Sequence, residues 1–102
     1  MKVTNFKNKN GKAIVNQFII TSFEPEDVET GIGTQTVYST VKYFQSYDSI
    51  IVKTTDSETY LDTKYWEYSP TTNKYRNIFL NETSAETKRK IESGEYILTN
   101  LN

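Results

Sequence analysis

The side chains that most often carry out enzymatic chemistry are scarce in this sequence. Its 102 residues include no His and no Cys, so imidazole acid–base catalysis, a thiolate nucleophile and a zinc–cysteine site are all excluded. Carboxylate pairs remain at Asp56 and Glu58 and within residues 24–29. Their turn-like, polar surroundings give no reason for the raised pKa that a glycosidase acid needs. We therefore predict a protein that is not an enzyme.

Binding sites for calcium or phosphate are not indicated either. The stretch Glu24–Gly31 lacks the alternating Asp or Asn positions and the terminal Glu of a calcium loop. The triplet Gly31–Gly33 is followed by Thr34 and Gln35, whereas a phosphate-binding loop requires a Lys and a helix. The sequence accordingly predicts no metal site and no cofactor.

Charge is distributed unevenly along the chain, although the net charge is only −1. Residues 1–22 contain four Lys and no acid, whereas residues 23–62 contain eight acids and two Lys. The densest acidic stretch supplies four candidate partner-binding residues, which are Glu24, Glu26, Asp27 and Glu29. One interpretation is a solvated surface loop. The other is a contact that imitates nucleic-acid phosphates and occupies the basic channel of a nuclease.

A second candidate surface combines aromatic and basic side chains for binding single-stranded nucleic acid, namely Trp66, Tyr68, Lys74, Arg76, Lys88, Arg89 and Lys90. In such a site the rings stack on bases while Lys and Arg pair with phosphates. The alternative is that Trp66, Tyr68 and Tyr75 form the core where the sheet meets a helix, since large rings are the main apolar surface of a chain that is 14% aromatic. In that case the basic run at 88–90 is a solvated helix face.

Apolar residues in alternation predict strands over Ala13–Phe23, Thr36–Tyr47, Ser49–Thr54 and Thr59–Leu61. Short connections between the last three favour an antiparallel meander. The residues Glu24–Gly33 interrupt the pattern with Pro25 and glycines, which favours a loop or a wide hairpin connection.

The second half of the chain predicts two short helices. Ser69 and Pro70 are typical of a helix start, and the first helix is expected over residues 70–80. Thr83 and Glu86 have the spacing of a capping box, and Gly94 stands where a left-handed C-cap residue belongs. The residues 96–98 are then expected to form a terminal strand.

Together these elements predict an α+β fold in one domain covering residues 1–102. The expected architecture is an antiparallel β-sheet of four to five strands with two short C-terminal helices packed on one face or edge. No apolar run has the length of a signal peptide or a membrane span. We therefore expect a cytoplasmic protein with no membrane contact.

Two motifs resemble a family of uncharacterised small proteins encoded by phages, plasmids and integrated elements of Gram-positive bacteria. The first motif is Phe44–Ile51, and the second is the pattern of Trp, Tyr, Ser, Thr, Lys and Phe within Trp66–Thr83. The resemblance covers roughly residues 14–101. The chain departs from the usual form of that family in its long Glu24–Thr36 insertion.

The resemblance implies a biological context. Small proteins of mobile elements often disable host defences, and anti-CRISPR proteins include single α+β domains of this size. We therefore predict an inhibitor of a Cas9-type nuclease or of its guide-RNA complex, acting in the host bacterial cell through the acidic loop. The nucleic-acid-binding accessory protein is the alternative. A homodimer joined through an exposed sheet edge is a third possibility.

Overall fold

A computed structural model describes all 102 residues of the chain. In chain order the elements are β1 (Lys2–Lys7), β2 (Ala13–Thr30), β3 (Gly33–Ser46), β4 (Ser49–Thr54), β5 (Thr59–Asp62), α1 (Pro70–Leu80), α2 (Ser84–Ser93) and β6 (Ile97–Thr99). The six strands form one sheet in the order of the sequence. All neighbouring strands are antiparallel except β5 and β6, which pair in parallel. The two helices connect β5 to β6 in the chain.

The predicted α+β class is confirmed, with one more strand than the expected four to five. The additional strand is β1, which pairs with β2 at the edge of the sheet. Its only large apolar residues are Val3 and Phe6, so no alternation in the sequence marks it as a strand. Neither helix has the length and apolar content that a membrane-spanning helix needs.

Both helices begin and end where the sequence predicts, because their caps are local interactions. The Ser69 hydroxyl accepts a hydrogen bond from the Thr72 amide at 3.1 Å. In the capping box of α2, the Thr83 amide donates to Glu86 Oε1 at 3.1 Å and the Glu86 amide donates to Thr83 Oγ1 at 3.2 Å. Gly94 ends α2 with φ at 83°, a left-handed conformation that glycine adopts without strain.

Removing the capping hydroxyl should weaken the second helix measurably. We expect Thr83→Ala to lower the free energy of unfolding by about 1 kcal/mol, since an orphan amide loses its acceptor. Urea unfolding followed by circular dichroism would measure this loss. Thr71→Ala is a matched control, because Thr71 is an exposed helical Thr, and it should stay within about 0.5 kcal/mol of the native protein. Equal losses in both variants would contradict the capping role.

The core lies between the sheet and the two helices and is built mainly from aromatic and β-branched residues. Its buried members are Phe6, Phe44, Ile51, Val52, Leu61, Tyr75 and Tyr96. The Phe44 ring packs edge-on against Phe6 at 5.5 Å and stacks on Phe79 of α1 at 6.0 Å between centroids. Ile91 of α2 packs against the same cluster. Tyr75 is thus a core ring, as the core alternative predicts, whereas the same prediction is wrong for Tyr68, which is exposed.

The two faces of the sheet differ in what covers them. We call the face that carries Phe44 and Ile19 the helix face, because α1 packs there. Side chains alternate between faces along a strand, so Tyr43, Lys53 and Tyr60 lie on the opposite side, which we call the open face.

A long hairpin of β2 and β3 extends beyond the rest of the sheet. Strand β1 pairs with β2 only as far as Thr21, and β4 pairs with β3 only as far as Lys42. Beyond these points residues 22–30 and 33–41 form a two-stranded ribbon, which we call the arm. Its nine cross-strand pairs continue without a register shift to Thr30 and Gly33. The arm gives the molecule its elongated dimensions of 51 × 31 × 22 Å.

The prediction of a loop or wide hairpin connection over Glu24–Gly33 is therefore wrong. These residues continue strand β2, and only Gly31 and Ile32 form the turn. Pro25 is tolerated because the arm lacks a neighbour on the outer side of β2, where a missing amide donor costs no ladder bond.

Candidate functional site

The arm carries the four predicted partner-binding residues, and its strand structure divides them between two faces. Because the register is continuous, alternate side chains point to opposite sides. Glu24 and Glu26 lie on the open face, and Asp27 and Glu29 lie on the helix face. The structure thus brings all four together on one ribbon, as two pairs rather than one patch.

None of these carboxylates has a cationic partner within the protein. Residues 22–41 contain no Lys or Arg, and both ion pairs of the structure involve Lys90 of α2. Glu24 accepts a hydrogen bond from the Tyr43 hydroxyl at 2.6 Å, and Asp27 accepts one from Thr36 at 2.8 Å. Burial and the hydrogen bond to Glu24 raise the pKa of Tyr43 to about 12. The arm is therefore a surface with a charge of −4 at neutral pH.

Large apolar side chains accompany these charges. Phe23 is 69% exposed and Tyr38 is 64% exposed, and both lie on the helix face of the arm. Ile32 at the turn is fully exposed, and Val28 on the open face is partly exposed. Alternation of apolar residues places Phe23 at the end of a strand but does not show that this part of the strand lies outside the core. Pairing of β2 with residues 34–40 is what leaves these side chains outside the core.

The open face forms a shallow cleft where the arm joins the sheet. Three carboxylates, of Glu24, Glu26 and Glu58, line it together with Lys53 and Tyr60. The Tyr60 hydroxyl donates to Glu58 at 2.6 Å, and this hydrogen bond raises the pKa of Tyr60. The Lys53 ammonium lies 6.0 Å from the Tyr43 ring centroid and 5.7 Å from that of Tyr60. Lys53 thus rests on aromatic rings and forms no ion pair with the surrounding acids.

Arg76, which the nucleic-acid alternative assigns to phosphate contact, is fully buried. Its guanidinium donates to the Trp66 carbonyl at 2.6 Å and to Asn73 Oδ1 at 3.2 Å. It also donates to Asn77 Oδ1 at 3.0 Å and to the Ser84 hydroxyl at 2.8 Å. These contacts join α1 to α2 and to the turn before α1. Arg76 is a structural residue, and its burial removes it from any surface site.

Trp66 belongs largely to the same structural cluster. Its half-buried ring packs against the core, and the Arg76 guanidinium lies 5.3 Å from the ring centroid. Tyr68 and Lys74 are exposed, and the Lys74 ammonium lies 5.5 Å from the Tyr75 ring. The proposed aromatic and basic surface is therefore reduced to scattered side chains around a packed tryptophan.

The basic run of α2 is partly engaged in internal contacts. Lys90 pairs with Glu82 at 2.9 Å and with Glu95 at 3.8 Å. The hydrogen bond to Glu82 raises the pKa of Lys90 to about 12. Lys88 and Arg89 are exposed and make no ion pair. Only these two residues of the run are available to a partner.

The candidate site is thus an acidic two-stranded ribbon that projects from the sheet of an α+β fold. The chain belongs to the DUF8033 family, a family of unknown function, whose profile matches residues 1–95. No curated protein and no solved structure gives a significant match to the chain.

Proposed function

We propose that the chain is a non-enzymatic protein-binding module that uses the arm to occupy a basic surface of its partner. The observation that carries the proposal is the arm itself, a projecting ribbon with four carboxylates and no cation. Unpaired charges of one sign raise the association rate with an oppositely charged partner and favour a defined orientation.

The shape of the arm suits a channel that normally holds nucleic acid. Its nine cross-strand pairs correspond to a length of about 30 Å at roughly 3.3 Å per residue. A two-stranded ribbon is slim enough to enter such a channel, and its carboxylates would take the places of phosphates. Exposed Phe23 and Tyr38 add the aromatic contact area that distinguishes protein interfaces.

The resemblance to proteins of mobile elements suggests the partner. We propose a Cas9-type nuclease of the host, bound directly or as its guide-RNA complex, as the target that the arm inhibits. Glu24, Glu26, Asp27 and Glu29 would supply the negative charge that attracts this partner, presented from a strand instead of a loop. Inhibition of this kind needs no catalytic residue in the chain.

The proposal is tested by target-DNA cleavage with guide-loaded Cas9 and increasing amounts of the protein. We expect dose-dependent loss of cleavage that weakens as salt concentration rises, since Coulomb attraction is screened. Adding the protein before or after guide loading would distinguish a block of loading from a block of a later step. Full cleavage at large excess would contradict the proposal for this nuclease.

A charge-reversal pair of variants isolates the arm in the same assay. Replacing all four arm carboxylates with Lys is expected to abolish inhibition with the circular dichroism spectrum unchanged. The matched control reverses four exposed acids elsewhere, which are Asp48, Asp56, Glu67 and Glu92. It changes the net charge equally and should keep most of the inhibition. If both variants lose inhibition alike, net charge and not the arm determines binding.

A further inference from the structure

The two faces of the arm are chemically different, and the difference points to one of them as the docking surface. On the helix face Phe23, Pro25 and Tyr38 form an exposed apolar patch, because Pro25 pairs with Tyr38 and Phe23 lies two pairs nearer the sheet on the same face. On the open face the corresponding positions of the arm carry Glu24 and Ser39. Large exposed aromatic patches are typical of interaction sites.

This patch continues toward an apolar groove beside the end of α1. The groove is lined by Phe6, Ile19, Lys42, Thr54, Ile78 and Phe79. Ile19 and Phe23 lie on the same face of β2 four residues apart, a separation of about 13 Å along the strand. Ile78 is 55% exposed at the rim of the groove. The helix face thus presents a stepped apolar surface from α1 to the middle of the arm.

Two carboxylates extend the same surface toward the tip. Asp27 and Glu29 follow Phe23 and Pro25 on the helix face of β2, and they have no cationic partner in the chain. An occupant of this surface therefore meets apolar side chains and the single cation Lys42 near the sheet, and negative charge near the turn. A symmetric dimer through this face would bring two arms of charge −4 together, and nucleic acid would bring phosphates against them. Like charges disfavour both occupants.

We propose that the helix face of the arm, together with the groove at α1, is the docking surface for a basic amphipathic segment of the protein partner. Apolar side chains of the segment contact Phe23, Tyr38 and Ile78, and its Lys or Arg side chains pair with Asp27 and Glu29. Glu24 and Glu26 face away and contribute only long-range attraction. The inference rests on the proposed function and deepens it, because it assigns the contact to one face.

The first test uses a defined probe and does not depend on a nuclease. A 14-residue peptide with Leu at helical spacing and Arg elsewhere would be titrated into the isotopically labelled protein and followed by NMR. We expect shift changes centred on the amides of Phe23, Tyr38 and Ile78, with smaller changes at Asp27 and Glu29. Peptides with Leu changed to Ser, or with Arg changed to Glu, should bind at least about tenfold more weakly. Changes centred on Glu24, Glu26 and Glu58, or none at millimolar peptide, would overturn the inference.

The second test compares the two faces by matched variants. Asp27→Lys with Glu29→Lys should weaken peptide binding about tenfold or more, whereas Glu24→Lys with Glu26→Lys should change it only about two- to threefold. Phe23→Ser with Tyr38→Ser should weaken peptide binding at least as much as the first pair. Both residues are exposed, so the circular dichroism spectrum of this variant should match that of the native protein. A dimer through this face in sedimentation experiments would overturn the inference in favour of a second copy of the chain. An oligonucleotide that shifts the same amide signals would overturn it in favour of nucleic acid.

The same variants separate this inference from the proposed function. If the peptide maps to the helix face but Cas9 is not inhibited, the docking surface stands and the nuclease target fails. If Cas9 is inhibited and only Glu24→Lys with Glu26→Lys removes inhibition, the proposed function stands and the assignment of the face fails.

Discussion

Replacing Arg76 with Ala is expected to lower the free energy of unfolding by about 3–5 kcal/mol, a large share of the stability of a small domain. The side chain is completely buried and donates to four oxygens on α1, the start of α2 and the turn at Trp66. All four acceptors are uncharged, and burial lowers the pKa of Arg76. Loss of the side chain would leave a cavity beside Trp66 and several acceptors without donors.

Thermal and urea unfolding of Arg76→Ala would measure this loss, with Lys74→Ala as the control. Lys74 is an exposed cation on the same helix, so its replacement should change stability by no more than about 0.5 kcal/mol. Arg76→Lys should be intermediate, because an ammonium cannot reproduce the planar fork of donors. Similar stability of the two Ala variants would show that the buried guanidinium is not a structural centre.

The second large effect is expected at Glu82, where Glu82→Gln should lower the free energy of unfolding by about 2–4 kcal/mol near neutral pH. The Glu82 side chain is 3% exposed and pairs with Lys90 at 2.9 Å. It also accepts hydrogen bonds from the hydroxyls of Thr87 and Tyr96, each at 2.5 Å. The carboxylate thereby ties the loop after α1 to α2 and to the residue before β6. An amide would replace an acceptor by a donor amid groups that all donate.

The same residue makes stability depend on pH on the acid side. Burial alone would raise the pKa of Glu82, but the hydrogen bonds from Thr87, Tyr96 and Lys90 outweigh burial and lower it below 4.5. A lowered pKa stabilises the folded state above the unfolded-state value, and this contribution is lost as pH falls through the folded-state value. Asp62 acts in the same direction, since hydrogen bonds from the backbone amides of Leu101, Tyr65 and Lys64 overcome its burial and lower its pKa below 3.8.

Unfolding measured between about pH 7 and about pH 3 would test this linkage. The difference in stability between the native protein and Glu82→Gln should shrink as pH falls below about 4.5, because the unfolded chain takes up a proton at Glu82 before the folded protein does. Glu92→Gln, at an exposed position of α2, should track the native protein at every pH. A constant difference across the range would contradict the role of ionised Glu82.

The starts of both helices and the end of α2 could be predicted because short-range chemistry defines them. Ser69, Pro70, the Thr83 and Glu86 pair and Gly94 each act within one turn of the backbone, so the sequence contains the whole signal. The meander of β3, β4 and β5 was likewise predictable from alternation and short turns.

The arm was not predictable by the same means. Pro25, the acids and Gly31 favour a loop by local preference, whereas the structure pairs Glu24–Thr30 with the β-forming residues Gly33–Ser39. Cross-strand partners decide such a case, and they lie up to 15 residues away from each other. The number of carboxylates was predictable, but their division between two faces depends on the register.

Arg76 could have been placed correctly from its position on α1. Thr72, Tyr75 and Phe79 define the inner face of the helix at spacings of three and four, and Arg76 lies four residues after Thr72. The charge of Arg76 favours an exposed position, since buried arginine is rare. The acceptors that make burial tolerable are distributed over residues 66–84, and only the folded chain brings them together.

The free edges of the arm have a consequence for how the molecule avoids self-association. Beyond Thr21 and Lys42 both strands of the ribbon present unpaired backbone groups, which is the template on which sheets of different molecules join. Pro25 interrupts one edge, and repulsion among the carboxylates keeps two ribbons apart. Neutral replacements such as Gln would remove that protection and invite strand-to-strand aggregation. Lys replacements retain electrostatic repulsion between arms, so charge-reversal variants test the role of the arm without promoting aggregation.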